Sequence, residues 1–307
     1  MENTIFDLTV VGAGPAGMTA ALYALRASKS VLLLDDQGYG GQITLSDCVE
    51  NYPGVSNVNG YDLAEYMMDQ LRAFKVTLKN ARVLDLQKEN GLFCTVTARE
   101  RFLSRAVILA TGVTHRKLGV AGEADYIGRG VSFCAVCDGS FFRGLEVAVV
   151  GGGNTAVQDA LYLAKICKKV YLIHRREGFR AEQGLLQRAK EEESIEILTD
   201  TVVREMQGDA RLQSIVLENV KTGEKQTLSV NGVFEAIGSV PQNQPFSAVV
   251  SLDGEGYFDA GEDCTTAQEG LFVAGDCRQK KIRQLTTATA DGTVAALAAI
   301  DYLDAQS

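Results

Sequence analysis

The sequence is poor in histidine, has no long apolar run and carries no excess of positive charge. With two histidines and one closely spaced cysteine pair, it lacks the four ligands of a structural zinc site. No apolar run approaches the roughly 18 residues of a membrane-spanning helix. The formal net charge of −9 argues against sequence-independent nucleic-acid binding, which needs a basic surface. We therefore expect no bound metal, no membrane association and no nucleic-acid partner.

The N-terminal segment also lacks the pattern of an export signal, because its apolar residues run directly into a glycine turn. Of the seven cysteines, only Cys134 and Cys137 have a paired spacing, which is typical of a reducing compartment. We therefore expect a cytoplasmic protein. A length of 307 residues, 46% of them apolar, is sufficient for two domains.

A strand, a glycine turn and a helix follow one another at two places in the chain. The first strand covers Ile5–Val11 and leads into GAGPAG from Gly12, and the second covers Glu146–Val150 and leads into GGGNTA from Gly151. Glycines at this spacing allow a tight turn, a close approach of backbone to pyrophosphate, and tight helix packing. The sequence therefore predicts an α/β protein with two Rossmann-like dinucleotide-binding domains.

The order of the elements predicts that one domain is inserted into the other. The second unit lies inside the chain, whereas a strand with the character of the first domain returns at Leu271–Val273, before a closing helix. Leu212–Val220 and Gln226–Val230 predict a hairpin in the inserted domain. We expect a first domain of residues 1–114 and 243–307 and an inserted domain of residues 115–242, both of the three-layer ββα type.

The residues about 20 positions after each glycine turn differ in charge. After the first turn comes Asp35, with Asp36 as the alternative, and a carboxylate there accepts hydrogen bonds from a ribose. After the second turn three arginines are clustered instead, at Arg175, Arg176 and Arg180. A guanidinium group can donate two parallel hydrogen bonds to phosphate oxygens. The second domain therefore favours NADPH, which carries a 2′-phosphate, over NADH.

The pair Cys134-Ala135-Val136-Cys137 has three interpretations: a metal site, a structural disulfide or a redox centre. Further metal ligands are missing, and a reducing compartment disfavours a structural disulfide. The pair precedes an NADPH-type glycine turn, and Gly275-Asp276 follows an apolar strand where an aspartate can accept from the sugar-alcohol chain of a flavin. The redox interpretation is therefore favoured.

This combination resembles the low-molecular-weight thioredoxin reductases over essentially the whole chain. The matching motifs are GAGPAG, GGQI, ENYPG, ATG, CAVCDG, GGGNTA, HRREGFRAE, AIGSVP and AGDCRQKKIRQLTTATADG. The resemblance implies a homodimeric NADPH-dependent FAD enzyme that reduces the disulfide of thioredoxin.

The resemblance also implies roles for individual residues. FAD would be bound by Gly12, Gly14, Ala16, Gly17, Asp35, Gly41, Gln42, Asn51, Thr111, Gly112, Asp276, Arg283, Gln284 and Leu285. NADPH would be bound by Gly153, Asn154, Thr155, His174, Arg175, Arg176 and Arg180. Cys134 would attack thioredoxin, Cys137 would face the flavin and Asp138 would donate a proton. Because the cysteines and the NADPH turn share one domain, we expect that domain to rotate between two positions.

Two positions depart from the family pattern, Glu235, where an apolar residue is common, and Gln242, where asparagine is more frequent. Both lie near the return to the first domain. The detailed structure of the segment that connects the two domains is therefore not predicted. Two other functions also stay open at this point. One is a related flavoprotein that uses another donor, such as ferredoxin, or another acceptor. The other is a flavin-binding redox sensor without turnover.

Overall fold

The computed structural model describes residues 4–46 and 48–306. The chain divides into two units, one formed by Met1–Thr114 and Val240–Ser307 and the other by His115–Ser239. We call them the host unit and the inserted unit. In the described ranges, no helix is both long enough and apolar enough to span a bilayer.

The strands are β1 (Ile5–Val11), β2 (Val31–Asp35), β3 (Thr77–Asn80), β4 (Val83–Glu89), β5 (Leu92–Thr97), β6 (Arg101–Leu109), β7 (Val113–His115), β8 (Val131–Ser132), β9 (Glu146–Val150), β10 (Lys169–Ile173), β11 (Ile195–Leu198), β12 (Thr201–Gly208), β13 (Leu212–Asn219), β14 (Lys225–Ser229), β15 (Gly232–Glu235), β16 (Ser239–Pro241) and β17 (Leu271–Val273). The helices are α1 (Pro15–Arg26), α2 (Gly60–Ala73), α3 (Glu123–Tyr126), α4 (Ala135–Asp138), α5 (Asn154–Leu163), α6 (Gln183–Glu191) and α7 (Leu285–Asp304).

The host unit is built on a sheet of order β3-β2-β1-β6-β5-β4, in which β17 also pairs with β6. Strands β1, β2, β3, β6 and β17 are parallel, whereas β4 and β5 form an antiparallel hairpin. Leu33 packs with residues of α1 and α7, and Leu32, on the opposite face, packs with Phe93 of the hairpin. Both faces are covered, which explains the continuous apolar run of β2.

The inserted unit repeats this arrangement around a parallel sheet of order β11-β10-β9-β15-β8. Val149 packs with the buried residues of α5, whereas Val150 packs with Ile215 and Leu217 of the antiparallel sheet β12-β13-β14. Helices, parallel sheet and antiparallel sheet form three layers. The structure confirms the predicted α/β fold class and the predicted hairpin of β13 and β14.

The chain passes between the units twice, and the two connecting strands, β7 and β16, pair with each other. On the inserted side, the Arg116 amide donates to the Gly238 carbonyl at 2.9 Å, and the Ser239 hydroxyl lies 3.1 Å from Nδ1 of His115. On the host side, the Gln242 amide donates to the Thr114 hydroxyl at 3.2 Å. The first and last residues of the inserted unit are therefore neighbours.

Asn243, just after the second connection, is completely buried in the host unit. Its amide nitrogen donates to the carbonyls of Gly256 at 3.0 Å and Cys277 at 2.8 Å. Its amide oxygen accepts from the hydroxyl of Thr111 at 2.7 Å. One side chain thus joins the two parts of the chain that form the host unit.

Candidate active site

In the first glycine turn, between β1 and α1, each glycine has different surroundings. Gly12 has φ +105°, and a side chain there would collide with the carbonyl of Ala110. A side chain at Gly17 would collide with the carbonyl of Gly12. A Cβ at Gly14 would meet only the Cα of Gly41, at 4.0 Å. The open side at Gly14, next to the unpaired N–H groups of the first turn of α1, fits a pyrophosphate.

Asp35 lies at the end of β2 beside this turn. One carboxylate oxygen accepts from the Ala13 amide at 2.7 Å, and the other accepts from the Gln37 amide at 2.8 Å. Burial raises the pKa of Asp35, and these backbone donors oppose the rise. Asp36, the alternative, is exposed and lies 3.9 Å from Arg82. Asp35 is thus the acid held against the turn, with lone pairs left for ribose hydroxyls.

Asp276 is a half-buried acid beside the same helix. Its Oδ1 is buried and has no hydrogen-bond partner among the residues described. Burial raises the pKa of Asp276 to about 6, although the charges of Lys280 and Arg283 act in the opposite direction. Arg283 is held in place by a bond from its Nε to the Asp276 carbonyl at 3.2 Å. A buried acceptor of this kind needs a donor, and a sugar-alcohol hydroxyl would be a suitable one.

Several distant segments of the host unit meet around the start of α1. A Cβ on Gly275 would touch the Cβ of Ala16, and the side chain of Asn51 donates to Gln284 at 3.4 Å. Gln284 caps α7, whose first residue is Leu285. Gly41 and Gln42 begin a 3-10 turn, and Thr111 and Gly112 follow β6. The FAD contacts of these residues stay predictions, but the fold groups several of them around α1.

The two cysteines of the inserted unit form a disulfide, with their Cα atoms 5.3 Å apart. Cys134 precedes α4 with extended backbone, and its sulfur accepts from the Cys137 amide at 3.2 Å. Both residues are half-buried. An N–H group pointing at the sulfur favours the thiolate form once the disulfide is reduced.

Ser132 is a residue of this site that the sequence analysis did not single out. Its hydroxyl donates to the carboxylate of Asp138 at 2.6 Å and accepts from the Cys134 amide at 3.1 Å. The hydroxyl therefore fixes the carboxylate relative to the first cysteine. A serine two residues before a turn was the only local signal, and such serines are common in turns for purely structural reasons.

The second glycine turn, between β9 and α5, has its open side at Gly153, where a Cβ would meet no atom of the described residues within 4 Å. A Cβ on Gly152 would overlap the imidazole of His174. The Gly152 carbonyl accepts from the Arg180 amide at 2.8 Å. Residues 174–180, which we call the basic segment, are therefore held next to the turn. Asn154 and Glu182 exchange two hydrogen bonds, of 3.1 and 2.8 Å, at the start of α5.

The basic segment presents three exposed cations next to this turn. Arg175, Arg176 and Arg180 are exposed, and none of them forms a salt bridge with any residue that the structure describes. Burial lowers the pKa of His174, and the charges of the three arginines lower it further. His174 is itself buried, with Nε2 at 3.2 Å from the Gly178 carbonyl. Its predicted contact with NADPH stays a prediction, as does that of Thr155.

Residues 6–292 match the family described as pyridine nucleotide-disulphide oxidoreductase. The chain belongs to this family. It is 41% identical to a thioredoxin reductase of Listeria innocua, over 99% of this chain and 95% of that protein. It is also 41% identical to a bifunctional thioredoxin reductase/thioredoxin of Mycobacterium leprae, over 98% of this chain and 67% of that protein. The crystal structure of thioredoxin reductase from Streptococcus pyogenes superposes with a TM-score of 0.96 at 39% identity, covering 99% of this chain and 100% of that chain.

FAD and NADPH are the cofactors of this member of the pyridine nucleotide-disulphide oxidoreductases. The residues present fit both groups. Gly14 and Gly153 leave open backbone at the starts of two helices, and Asp276 offers a buried oxygen that lacks a partner in the described part of the chain. The exposed guanidinium groups beside the second turn match a phosphate.

Proposed function

We propose that the chain is a thioredoxin reductase that passes electrons from NADPH, through FAD and the Cys134–Cys137 disulfide, to oxidised thioredoxin. The observation that carries the proposal is the disulfide itself, placed in the same unit as an arginine-flanked glycine turn. The Listeria innocua and Streptococcus pyogenes relatives are named thioredoxin reductases, and the Mycobacterium leprae relative is named for a thioredoxin as well. A ferredoxin-linked relative is not favoured, because it would not need the three arginines.

When bound, FAD accepts two electrons from the nicotinamide and delivers them to the disulfide. The host unit would hold this cofactor by the turn at Gly14, by Asp35 at a ribose and by Asp276 and Arg283 at the sugar-alcohol chain. The inserted unit would hold NADPH by the turn at Gly153 and by the exposed arginines. These contacts are proposals, supported by the open backbone and by an Asp276 oxygen that has no partner among the described residues.

The chemistry of the protein's own residues begins with the reduced cysteines. The Cys134 thiolate, stabilised by the Cys137 amide, attacks the thioredoxin disulfide and forms a mixed disulfide, while one thioredoxin sulfur leaves as a thiolate. Cys137 then attacks the sulfur of Cys134, which restores the internal disulfide and releases the second thioredoxin thiolate. Asp138, held by Ser132, is placed to transfer a proton to a leaving thiolate.

The inserted unit must present two different groups to one flavin. The segment of α4 packs on α5, since a Cβ on Gly139 would touch Leu163, Ile166 and Tyr162. The cysteines and the NADPH turn are therefore parts of one body, and we propose that they face the flavin one after the other. We propose that this body rotates on the paired strands β7 and β16.

We also propose that the protein acts as a homodimer in the cytoplasm. The dimer is supported by the family resemblance, and sedimentation of the purified protein tests it. The cytoplasm is supported by the free thiols of Cys94, Cys167, Cys264 and Cys277.

One coupled assay tests the proposed function. The purified holoenzyme should oxidise NADPH rapidly only when oxidised thioredoxin is supplied, with one NADPH consumed per thioredoxin disulfide reduced. Rapid reduction of bound FAD without any acceleration by thioredoxin would instead favour a redox sensor. Purified protein without flavin absorbance would contradict the proposal entirely.

Substitutions at Gly14 and Gly153 should each weaken the binding of a different cofactor. Gly14→Val should weaken FAD binding by at least about 10-fold, because the side chain fills the space of the pyrophosphate and touches little else. Gly153→Val should keep FAD and weaken NADPH binding to a similar degree. FAD titration of the apoprotein and flavin bleaching by NADPH measure the two effects. Gly184→Val, on α6 and also without close neighbours, is the matched control and should change neither.

A further inference from the structure

Two glutamates lie buried side by side in the inserted unit, outside the sites described so far. Glu123 begins α3 and Glu235 ends β15, and each is only 3% exposed. Neither forms a salt bridge within residues 4–46 and 48–306, although the charge of Lys117 acts on Glu235. Two buried carboxylates in contact cannot both be ionised without a large electrostatic cost, so one of them must hold a proton.

The hydrogen bonds indicate which glutamate is ionised. The Glu123 carboxylate accepts from the amides of Leu118 at 3.2 Å, Gly119 at 2.5 Å and Val120 at 3.1 Å. Three backbone donors stabilise an ionised carboxylate. Glu123 is therefore the charged member of the pair.

Glu235 has the opposite environment. Its Oε2 shares the Leu118 amide at 3.2 Å, whereas its Oε1 is buried and has no donor among the described residues. A proton on Glu235 turns it into a donor, and the carboxylate of Glu123 lies within its hydrogen-bond reach. Protonation thus lets Glu235 donate a hydrogen bond to Glu123, which an ionised Glu235 could not do.

We propose that Glu123 and Glu235 share one proton and form a pH-sensitive clasp between the first residues of the inserted unit and its last strand. Leu118–Val120 follow the entering strand β7, and Glu235 lies just before Gly238, whose carbonyl bonds to Arg116. With the proton in place, the clasp holds the entering and leaving segments together. When the proton is lost, two buried negative charges repel and these segments loosen. This device is independent of thioredoxin and of both cofactors.

The direction of the pH dependence follows from the environment of Glu235. Burial, and next the charge of Glu123, raise the pKa of Glu235 from 4.5 to about 8, while the Leu118 amide and Lys117 oppose the rise. The folded chain therefore keeps a proton that the unfolded chain releases above pH 4.5. The stabilisation is complete below that pH and is lost as the pH rises through about 8.

Amide hydrogen exchange of the full chain tests the clasp. After correction for intrinsic exchange, protection of residues 113–120 and 232–241 should fall about 4-fold between pH 7.5 and 9 in the wild type, because the proton that stabilises the clasp is lost over this range from a group with a pKa of about 8. Glu235→Gln keeps a donor without a titrating group, so its protection should not depend on pH. Glu193→Gln, an exposed change of equal charge in the same unit, should behave like the wild type.

Equal pH dependence in the wild type and in Glu235→Gln would overturn the proposal. If Glu235→Gln fails to fold, carboxyl carbon NMR of the wild type decides instead. One glutamate carboxyl should titrate in the range of pH 7 to 9, and titration of every glutamate below pH 6 would refute the clasp.

Discussion

Cys134→Ser should lower thioredoxin reduction by at least about 10³-fold while NADPH still reduces the bound FAD. In the proposed mechanism the Cys134 sulfur forms the mixed disulfide, whereas the residues proposed to bind FAD and NADPH are unchanged in this variant. Stopped-flow bleaching of the flavin and the coupled thioredoxin assay measure the two steps separately. Cys94→Ser is the matched control, because its hydroxyl can still accept from Arg101 as the native sulfur does, and it should retain activity.

Comparison of Cys134→Ser with Cys137→Ser distinguishes the cysteine that attacks thioredoxin from the cysteine that resolves the mixed disulfide. Cys137→Ser leaves Cys134 able to attack but removes the thiol that releases the product, so a covalent 1:1 complex with oxidised thioredoxin should accumulate. Cys134→Ser should form no such complex. Non-reducing electrophoresis and intact mass spectrometry would show it. Trapping by Cys134→Ser instead of Cys137→Ser would reverse the proposed order of the cysteines.

The triple variant Arg175→Ala, Arg176→Ala and Arg180→Ala should raise KM for NADPH by about 10² to 10⁴-fold, with kcat nearly unchanged. Two charge-assisted hydrogen bonds to the phosphate, at about 1.5–3 kcal/mol each, account for this range, because about 1.4 kcal/mol corresponds to a factor of ten. NADH lacks the 2′-phosphate, so its KM should change by less than about 3-fold.

Steady-state kinetics with both nucleotides measures this change in preference. The control variant, Arg188→Ala with Lys190→Ala and Arg211→Ala, removes the same charge from exposed positions of the inserted unit. It should change the KM for NADPH and for NADH only by the general effect of removing three positive charges, and high salt suppresses that effect. A loss of NADH use equal to the loss of NADPH use would place the three arginines away from the 2′-phosphate.

The sequence was informative where the chemistry is local. The strand, glycine turn and helix around Gly12 and Gly151 are contiguous, and so are the two cysteines, so short-range pattern was enough to predict them. The closing helix predicted after Leu271–Val273 is observed at Leu285–Asp304 for the same reason. In each case the residues that define the feature are close in the chain.

The features that escaped prediction depend on contacts between distant residues. Nothing near Asn243 indicates that it bonds to Thr111 and Cys277, and nothing near Glu123 indicates a second buried carboxylate at Glu235. The packing of His174 on Gly152 likewise follows from the fold of the basic segment. Periodicity and turn signals describe neighbours in the chain, whereas these contacts arise when sheets and loops assemble.

The adjacent ends of the inserted unit make the host a modular scaffold. Its two parts are joined by Asn243 immediately beside the paired strands β7 and β16, so the host core closes without help from residues 115–239. An inserted segment whose first and last residues are neighbours can be replaced by another segment at the entropic cost of a single loop closure. A shared flavin scaffold could thus acquire a different nucleotide specificity, or a different redox partner, by replacement of one contiguous stretch of gene.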